Sequence, residues 1–573
     1  MKTIPSSEAI LTINRSNVFA AKPDYDAVQK ETISPLRTNT ALLMKILADN
    51  ADTEYGRKYG FSDITSVEEY RKKVPVVTYE DIEPYIQRMV KGEKDILTSY
   101  SFSHMNETSG TVGKQKLIPL TDMQKGVFIK YNLRYNQALL ADKLGEEWMK
   151  GRSFSTTEGT HRTAPSGITI GSASSVMAAN IGGRQAVDDI MRRQYTSPVE
   201  ASIPSPGTQT NYIHVRFAMA DRNLTSIICV VYAQLVQLFH YIAENYEILI
   251  NDIENGTINK SITLPESVRE SLLKKIEPMP ERAAELREVF KNGSSFAFVP
   301  KIWPKLAYFI GIGGDGYSIY DKTIKEKYTG GKVRNLYSGI TASEGLWSVP
   351  VELDNEDSVL APGSAFMEFL PVEAGDDLSK CVTIDKLEKG RTYELIITNL
   401  CGFYRYRMSD SVLVTGFYNK TPLVRFMYRA NRTVDMVGEK TTEKALQLAV
   451  ESAAEELRFA LSDYVLYPDR EASPPRYIFL IQPENEQVKE RISLDVLNET
   501  IEKYLFKMNE EYCFGVKDGT RMTHSESFWL QPETTFLYRE LMIMKGASPS
   551  QVKPVHVITN EQQRRFFFSL RDE

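Results

Sequence analysis

The stretch Asn106–Thr121, NETSGTVGKQKLIPLT, sets small hydroxylated residues, two glycines and two lysines between segments that read as strands. Gly110 and Gly113 let the backbone take φ > 0 and approach an anion closely. Thr108, Ser109 and Thr111 add hydroxyl donors, and Lys114 and Lys116 add positive charge. Such a loop suits a polyphosphate, or else it is a solvated hairpin turn. It is not a Walker A motif, because the G-x-x-x-x-G-K-[ST] spacing is absent.

Outward from this loop the chain changes character. The first hundred residues alternate helical periodicity with turn signals, as in ALLMKILADNADTEYGRKYGF, where Leu42, Leu43, Ile46 and Leu47 make a stripe. From about Ser101 onward, short β-rich runs such as KLIPLT, TSIICVV, LAYFI, KVRNLYS and TYELIITN alternate with helical segments, which predicts α/β layering. At 573 residues and 42% hydrophobic content, one ordinary core is not enough and at least two domains are expected. The net charge of -6 offers no basic footprint for nucleic acid. Cys229, Cys381, Cys401 and Cys513 are far apart, with neither disulfide-framework nor metal-ligand spacing, and the N-terminus lacks a secretory pattern, so a reducing cytoplasm is expected. The longest apolar run, Leu224 to Ala243, carries Thr225, Ser226, Gln234, Gln237 and His240 and reads as a buried helix, not a membrane span.

Three further loops carry chemistry-bearing residues. GIGGDG, Gly311 to Gly316, follows the strand-like LAYFI and formally fits G-x-G-x-x-G, but the acidic residue a dinucleotide fold wants about 20 residues on is missing. A tight turn beside some other planar ligand fits better. In YSGITASEGLWSV, Glu344 falls where a strand would deliver it to the sheet edge, able to hold Mg2+ or to cap the next helix. In NLCGFYRYRMSD, alternation puts Tyr404 and Tyr406 on one face and Arg405 and Arg407 on the other. Asp410 then either accepts from a ribose diol or pairs with one of those arginines. Beyond TPLVRFMYRANRTVDMVGEK, an amphipathic helix, the strand-like RYIFLIQP and a helix around Leu494–Met508 form a small α+β unit, with the boundary placed near residues 429–432.

Taken in order, TSGTVGKQKLIPLT, TASEG, YRYRMSDSVLVTGF, EKTTEKALQLAVE and KGASPSQVKP resemble the auxin-responsive acyl acid amido synthetases of plants and their bacterial relatives, within the acyl-adenylate-forming superfamily. The resemblance implies a large N-terminal domain of layered sheets and helices over residues 1–428, a hinge at 429–432 and a smaller, mobile α+β domain over 433–573. It implies ATP and Mg2+, a small carboxylic acid activated as acyl-AMP, and an amine, by analogy an amino acid, as acceptor. Thr108, Ser109, Gly110, Thr111, Gly113 and Lys116 would cradle the phosphates, Ser343 and Glu344 would reach phosphate and metal, and Asp410 would hold the ribose. Gly313 and Gly314 would border adenine, Arg429 would contact nucleotide, and Lys440 and Lys553 would be the mobile domain's lysines. Phe128, Ile170 and Met177 would line the acyl pocket. There are three departures: a phosphate loop one residue short, with Val112 in place of a second hydroxyl, Ile340 where an aromatic residue commonly stacks on adenine, and Ser409 where a glycine usually precedes the ribose-binding Asp. An acyl-CoA ligase, a silent acyl- or nucleotide-binding protein and, last, an NAD-dependent oxidoreductase are the rival expectations.

Overall fold

The computed structural model describes residues 5–108, 116–159, 161–172, 188, 191–204, 208–294, 296–314, 317–429, 433–545, 547 and 552–572, with 428 and 429 as backbone only. Helix α1 (Ser7–Glu31) starts where the Ser6 hydroxyl accepts from the Ala9 amide, and α2 (Pro35–Asp49) starts on a proline whose missing N–H is no loss there. The buried stripe of α2 is Asn39, Leu43, Ile46 and Leu47, with Leu42 only half-buried. Asn39 is spliced into a polar seam: its amide donates to Pro362 and Ala365 carbonyls and accepts from the Met367 amide.

Strands β1 (Phe102–Glu107) and β2 (Leu117–Thr121) pair antiparallel across the glycine-rich loop. The loop's neck is closed twice, by the Thr108 amide on the Lys116 carbonyl at 3.0 Å and by the Lys116 amide on Thr108 Oγ1 at 3.0 Å. Thr121 ends β2 and caps α3 (Asp122–Val127) through the Gln124 amide, and a π-helical turn leads into α4 (Tyr135–Leu144). Strands β3 (Ser153–Ser155), β4 (His161–Thr163) and β5 (Thr169–Gly171) follow, and the first sheet has the order β2-β1-β5-β4.

The apolar run Leu224 to Ala243, expected as one buried helix and, over TSIICVV, also as a β-rich run, is a strand and then a helix, β6 (Ser226–Val231) and α5 (Tyr232–Asn255), which corrects the single-helix reading. The β-branched half, SIICVV, takes the centre of a parallel sheet buried on both faces, where a strand reads as a continuous apolar run. Next come β7 (Tyr308–Ile312), the short helix α6 (Ser318–Thr323) and β8 (Arg334–Tyr337). This second sheet is all parallel, in the order β3-β6-β7-β8.

A two-residue hairpin, β9 (Thr341–Ala342) and β10 (Gly345–Leu346), leads into an antiparallel sheet. Its strands are β11 (Ser348–Pro350), β12 (Ser358–Leu360), β13 (Phe366–Pro371), β14 (Val382–Thr383), β15 (Thr392–Thr398), β16 (Tyr406–Tyr418) and β17 (Thr421–Arg429), in the order β11-β12-β17-β16-β15-β13-β14. These sheets and the N-terminal helices make the large N-terminal domain. The smaller C-terminal domain holds α7 (Glu443–Glu456), β18 (Leu461–Asp469), β19 (Arg476–Pro483), α8 (Leu494–Met508), β20 (Glu526–Trp529) and α9 (Thr534–Met544), with its strands in the order β18-β19-β20. Leu446, Ala449, Val450 and Ala453, with Gln447 and Ala454, are the buried face of α7, as its amphipathic reading expects. No helix among the described residues is long and apolar enough to cross a membrane.

Candidate active site

The four parallel strands end on one side of their sheet, where ligands of open α/β sheets bind. Beyond β7 the turn is glycine by necessity. A Cβ on Gly313 would come within 2.7 Å of the Tyr337 ring and 2.8 Å of Tyr232, and one on Gly314, at φ +76°, would meet the Glu356 carboxyl at 2.6 Å. From α6, Asp321 accepts from the Gly314 amide at 2.7 Å and the Tyr337 hydroxyl at 3.1 Å. Burial pushes its carboxyl up to about 7, against the pull of those two donors. The turn therefore serves a close backbone approach rather than a dinucleotide fingerprint.

Glu344 is placed differently from expectation. β8 ends at Tyr337, and Ser343 and Glu344 form the tip of the β9–β10 hairpin beyond it. Two buried asparagines hold the tip by its carbonyls. Asn106 of β1 donates to Ser343 O at 3.0 Å, and Asn399 donates to Glu344 O at 2.8 Å while its own carbonyl accepts from the Cys401 and Phe403 amides. The hairpin is thus tied to the strand that carries the glycine-rich loop. Lys116 donates to the Tyr406 hydroxyl at 3.1 Å and lies over the Tyr79 ring at 5.2 Å. Burial first, and the nearby Glu344 carboxylate second, push the Tyr406 phenol up, so Lys116, Tyr406 and Glu344 share one electrostatic corner.

The strand carrying Asp410 does not alternate cleanly. Ser409 sits at φ +60° and Arg405 at +47°, and the β15–β16 register shifts between Glu394 and Ile396. The arginines find carboxylates other than Asp410. Arg405, buried, donates to Glu368 and to the Arg71 and Val74 carbonyls; Arg407 takes Glu394 and Asp376. Asp410 is buried and in register with Arg429 on β17.

These elements enclose a cavity of about 180 Å³ lined by Gly313, Tyr317, Tyr337, Ile340, Asp410 and, from the C-terminal domain, Lys553. Aromatic surface is present after all, from Tyr317 and Tyr337 rather than from position 340. Lys440 does not line this cavity; it is exposed, at φ +44°, in the turn between Val434 and Thr441. Phe128 packs against the main core and Ile170 is buried in it. Ser109, Gly110, Thr111, Gly113 and Met177, and the side chain of Arg429, lie outside the described residues. Tyr79, Asn106, Asp321 and Asn399 were not legible as site residues: Asn106 and Asn399 head two of the suspected motifs but act on the Ser343–Glu344 tip 237 and 55 residues away, and Tyr79 and Asp321 lie in helices that carry no motif of their own.

The layered domain and small cap place the fold among those of adenylate-forming enzymes: a 2-hydroxyisobutyryl-CoA ligase in the postadenylation state superposes with TM-score 0.51 at 11% identity, over 96% of this chain and 91% of that one. Closer in fold is the GH3.15 acyl acid amido synthetase, with TM-score 0.84 and 23% identity over 96% of both chains. The chain belongs to the GH3 family, matching its N-terminal domain over residues 25–333, its central domain over 358–429 and its C-terminal domain over 444–562. Among curated relatives, the indole-3-acetic acid-amido synthetase GH3.8 of Oryza sativa subsp. indica is 32% identical over 466 residues, 78% of this chain and 76% of the relative. The jasmonoyl-L-amino acid synthetase GH3.5 of Oryza sativa subsp. japonica is 29% identical over 497 residues, 82% of this chain and 81% of the relative.

Proposed function

We propose that the chain is an acyl acid amido synthetase, joining a carboxylic acid to an amino acid through an acyl-adenylate. The observation that carries this is one cavity in which the Gly313 turn and Asp410 of the large domain face Lys553 of the small one. A carboxylate is a poor electrophile. Its attack on the α-phosphate of ATP expels pyrophosphate and leaves a mixed anhydride; an amine then attacks the activated carbonyl, and AMP departs as the amide forms.

In this scheme Asp410 accepts from the ribose hydroxyls, the Gly313–Gly314 backbone lies against the adenine, and Thr108 and Lys116 flank the phosphates. Lys553 stabilises charge developing on the α-phosphate in a site partly closed to water, where a fixed cation is worth far more than in solution. Among the described residues no cluster of three or more His, Cys, Asp or Glu could hold a metal. Glu344 fits a hard cation as a single buried carboxylate that shares it with phosphate oxygens, and Mg2+ held there would supply charge neutralisation on the phosphates. We place the boundary between the two functional bodies at residues 429–432, with Lys440 just beyond it.

The identity of the acceptor is tested by mass detection of products from ATP, a panel of indolyl, aryl and fatty acids, and either mixed amino acids or coenzyme A. Amides that require amino acid support the reading. Thioesters formed only with coenzyme A would replace it with an acyl-CoA ligase.

A further inference from the structure

Lys553 belongs to a short segment that is stitched to the C-terminal domain. The Leu466 amide donates to the His556 carbonyl at 2.8 Å, and the Ile558 amide donates to the Leu466 carbonyl at 2.8 Å, stitching the segment to β18. The His556 ring stacks on Tyr464 with centroids 4.9 Å apart, and its Nε2 lies 3.6 Å from Asp463 Oδ1. Where Lys553 points in the cavity is therefore decided by how the small domain sits on the large one.

Part of that seating passes through α6, beside the His240–Glu533 pair at 3.0 Å and the Lys327–Glu484 ion pair at 3.2 Å that also join the two domains. The Tyr320 hydroxyl donates to Asp463 Oδ2 at 3.1 Å, and both residues are buried. Two residues earlier, Ser318 donates to Glu451 at 2.8 Å and accepts from Gln447 at 2.6 Å, both on α7. Between them Ile319 is buried in the hydrophobic core of the C-terminal domain itself. The other face of α6 holds the Gly314 amide through Asp321, and Tyr317, just before the helix, lines the cavity. One six-residue helix thus both frames the cavity and contacts the small domain.

We infer that Tyr320 and Asp463 are positioning residues for Lys553: the Tyr320–Asp463–His556 chain, with the Ser318 seam beside it, latches the C-terminal domain in the orientation that brings Lys553 to the cavity. This rests on the role given to Lys553 above. Tyr320 and Asp463 do not line the Asp410 cavity, although His556 does; they line, together with Lys553, a neighbouring cavity between the domains, which sets them beside the lysine rather than beside Asp410.

The test is Tyr320→Phe, which removes one hydroxyl from a buried ring, with Asp463→Asn as a second variant. Each is expected to slow acid-dependent pyrophosphate release about 10-fold, the loss of one buried hydrogen bond, while ATP affinity is retained. Placed on Lys553→Ala, Tyr320→Phe is expected to add no further loss, because the two act through one group. A second arm needs no substrate: nitroxides at Glu270→Cys and Asp518→Cys, both exposed, with Cys513→Ser, report the interdomain distance. A narrow distribution in the otherwise wild-type chain that broadens in Tyr320→Phe supports the latch. An undisturbed distribution, or an equal loss of rate with and without Lys553, overturns it. A wild type that is inactive with every acid would defeat the proposed function, and the distance arm would still judge the latch.

Discussion

Ser409 carries a side chain where the backbone asks for none. At φ +60° it occupies the left-handed region that costs an L-residue about 1 kcal/mol, directly before the buried Asp410. The glycine expected there from the family is therefore replaced at a cost the surrounding sheet absorbs. Ser409→Gly is expected to raise the thermal midpoint slightly, by relief of strain offset by added freedom in the unfolded chain, and to leave nucleotide affinity intact. A fall in stability of more than about 1 kcal/mol would mean that the serine side chain contributes a contact of its own. Ile340 is the opposite case. It is buried, its amide is held by Ser348, and the ring surface expected at its position comes from Tyr317 and Tyr337 instead. Neither substitution was interpretable from sequence alone, because φ and the company a side chain keeps are set by strands far away.

Among the elements, the glycine turn and α6 behave as one unit joined by Asp321. Its carboxyl stands up to about 7, above the usual carboxylate range, chiefly because it is buried. The sign follows: the folded state holds this proton more tightly than the unfolded state, so its contribution to stability is full below about pH 4 and is lost as pH rises through 7. Asp321→Asn keeps an acceptor for the Gly314 amide and removes the ionisation. The variant is expected to gain stability relative to wild type between about pH 5 and 8, read from thermal midpoints across that range. A difference that does not change with pH would show a carboxyl that is not desolvated. Elements with strong periodicity were legible at this level: α7, β19 and α8 fall where the pattern put them, and the strand-like runs became β2, β7, β8 and β15. The 224–243 run was legible only in part, its TSIICVV half reading as β-rich while the whole read as one helix, since a buried parallel strand and a buried helix present the same unbroken apolar text until β-branching is weighed. The hairpin at Ser343–Glu344 was not legible, its tip being held by Asn106 and Asn399 from 237 and 55 residues away.

Across the whole molecule, the layers are pinned by buried charge as well as by apolar packing. Arg405 reaches from the start of β16 to Glu368 on β13 and to the Arg71 and Val74 carbonyls of the N-terminal helical region, while Arg71 joins Glu368 from the other side. Breaking such a pair strands a charge, so Arg405→Met is expected to cost about 3–5 kcal/mol, read from the urea midpoint. A loss below about 1 kcal/mol would mean that Arg71 alone satisfies Glu368. The sequence left open whether Asp410 would be consumed by these arginines, and only long-range sheet pairing answers it, by giving them Glu368 and Glu394. Order along the chain nevertheless carried the fold class, because phosphate loop, TASEG, Asp410 and the late lysine recur in one succession. What order could not supply was the convergence of Gly313, Asp410 and Lys553 on one cavity, and this convergence is the centre of the functional account. The most direct measurement is ATP- and Mg2+-dependent pyrophosphate release, with and without a carboxylic acid, from the wild type, Lys553→Ala and Glu344→Ala. The account predicts release that requires the acid and falls by about 100-fold or more in both variants. Measurable ATP binding with no acid-dependent release from the wild type, or release undiminished by Lys553→Ala, would contradict it.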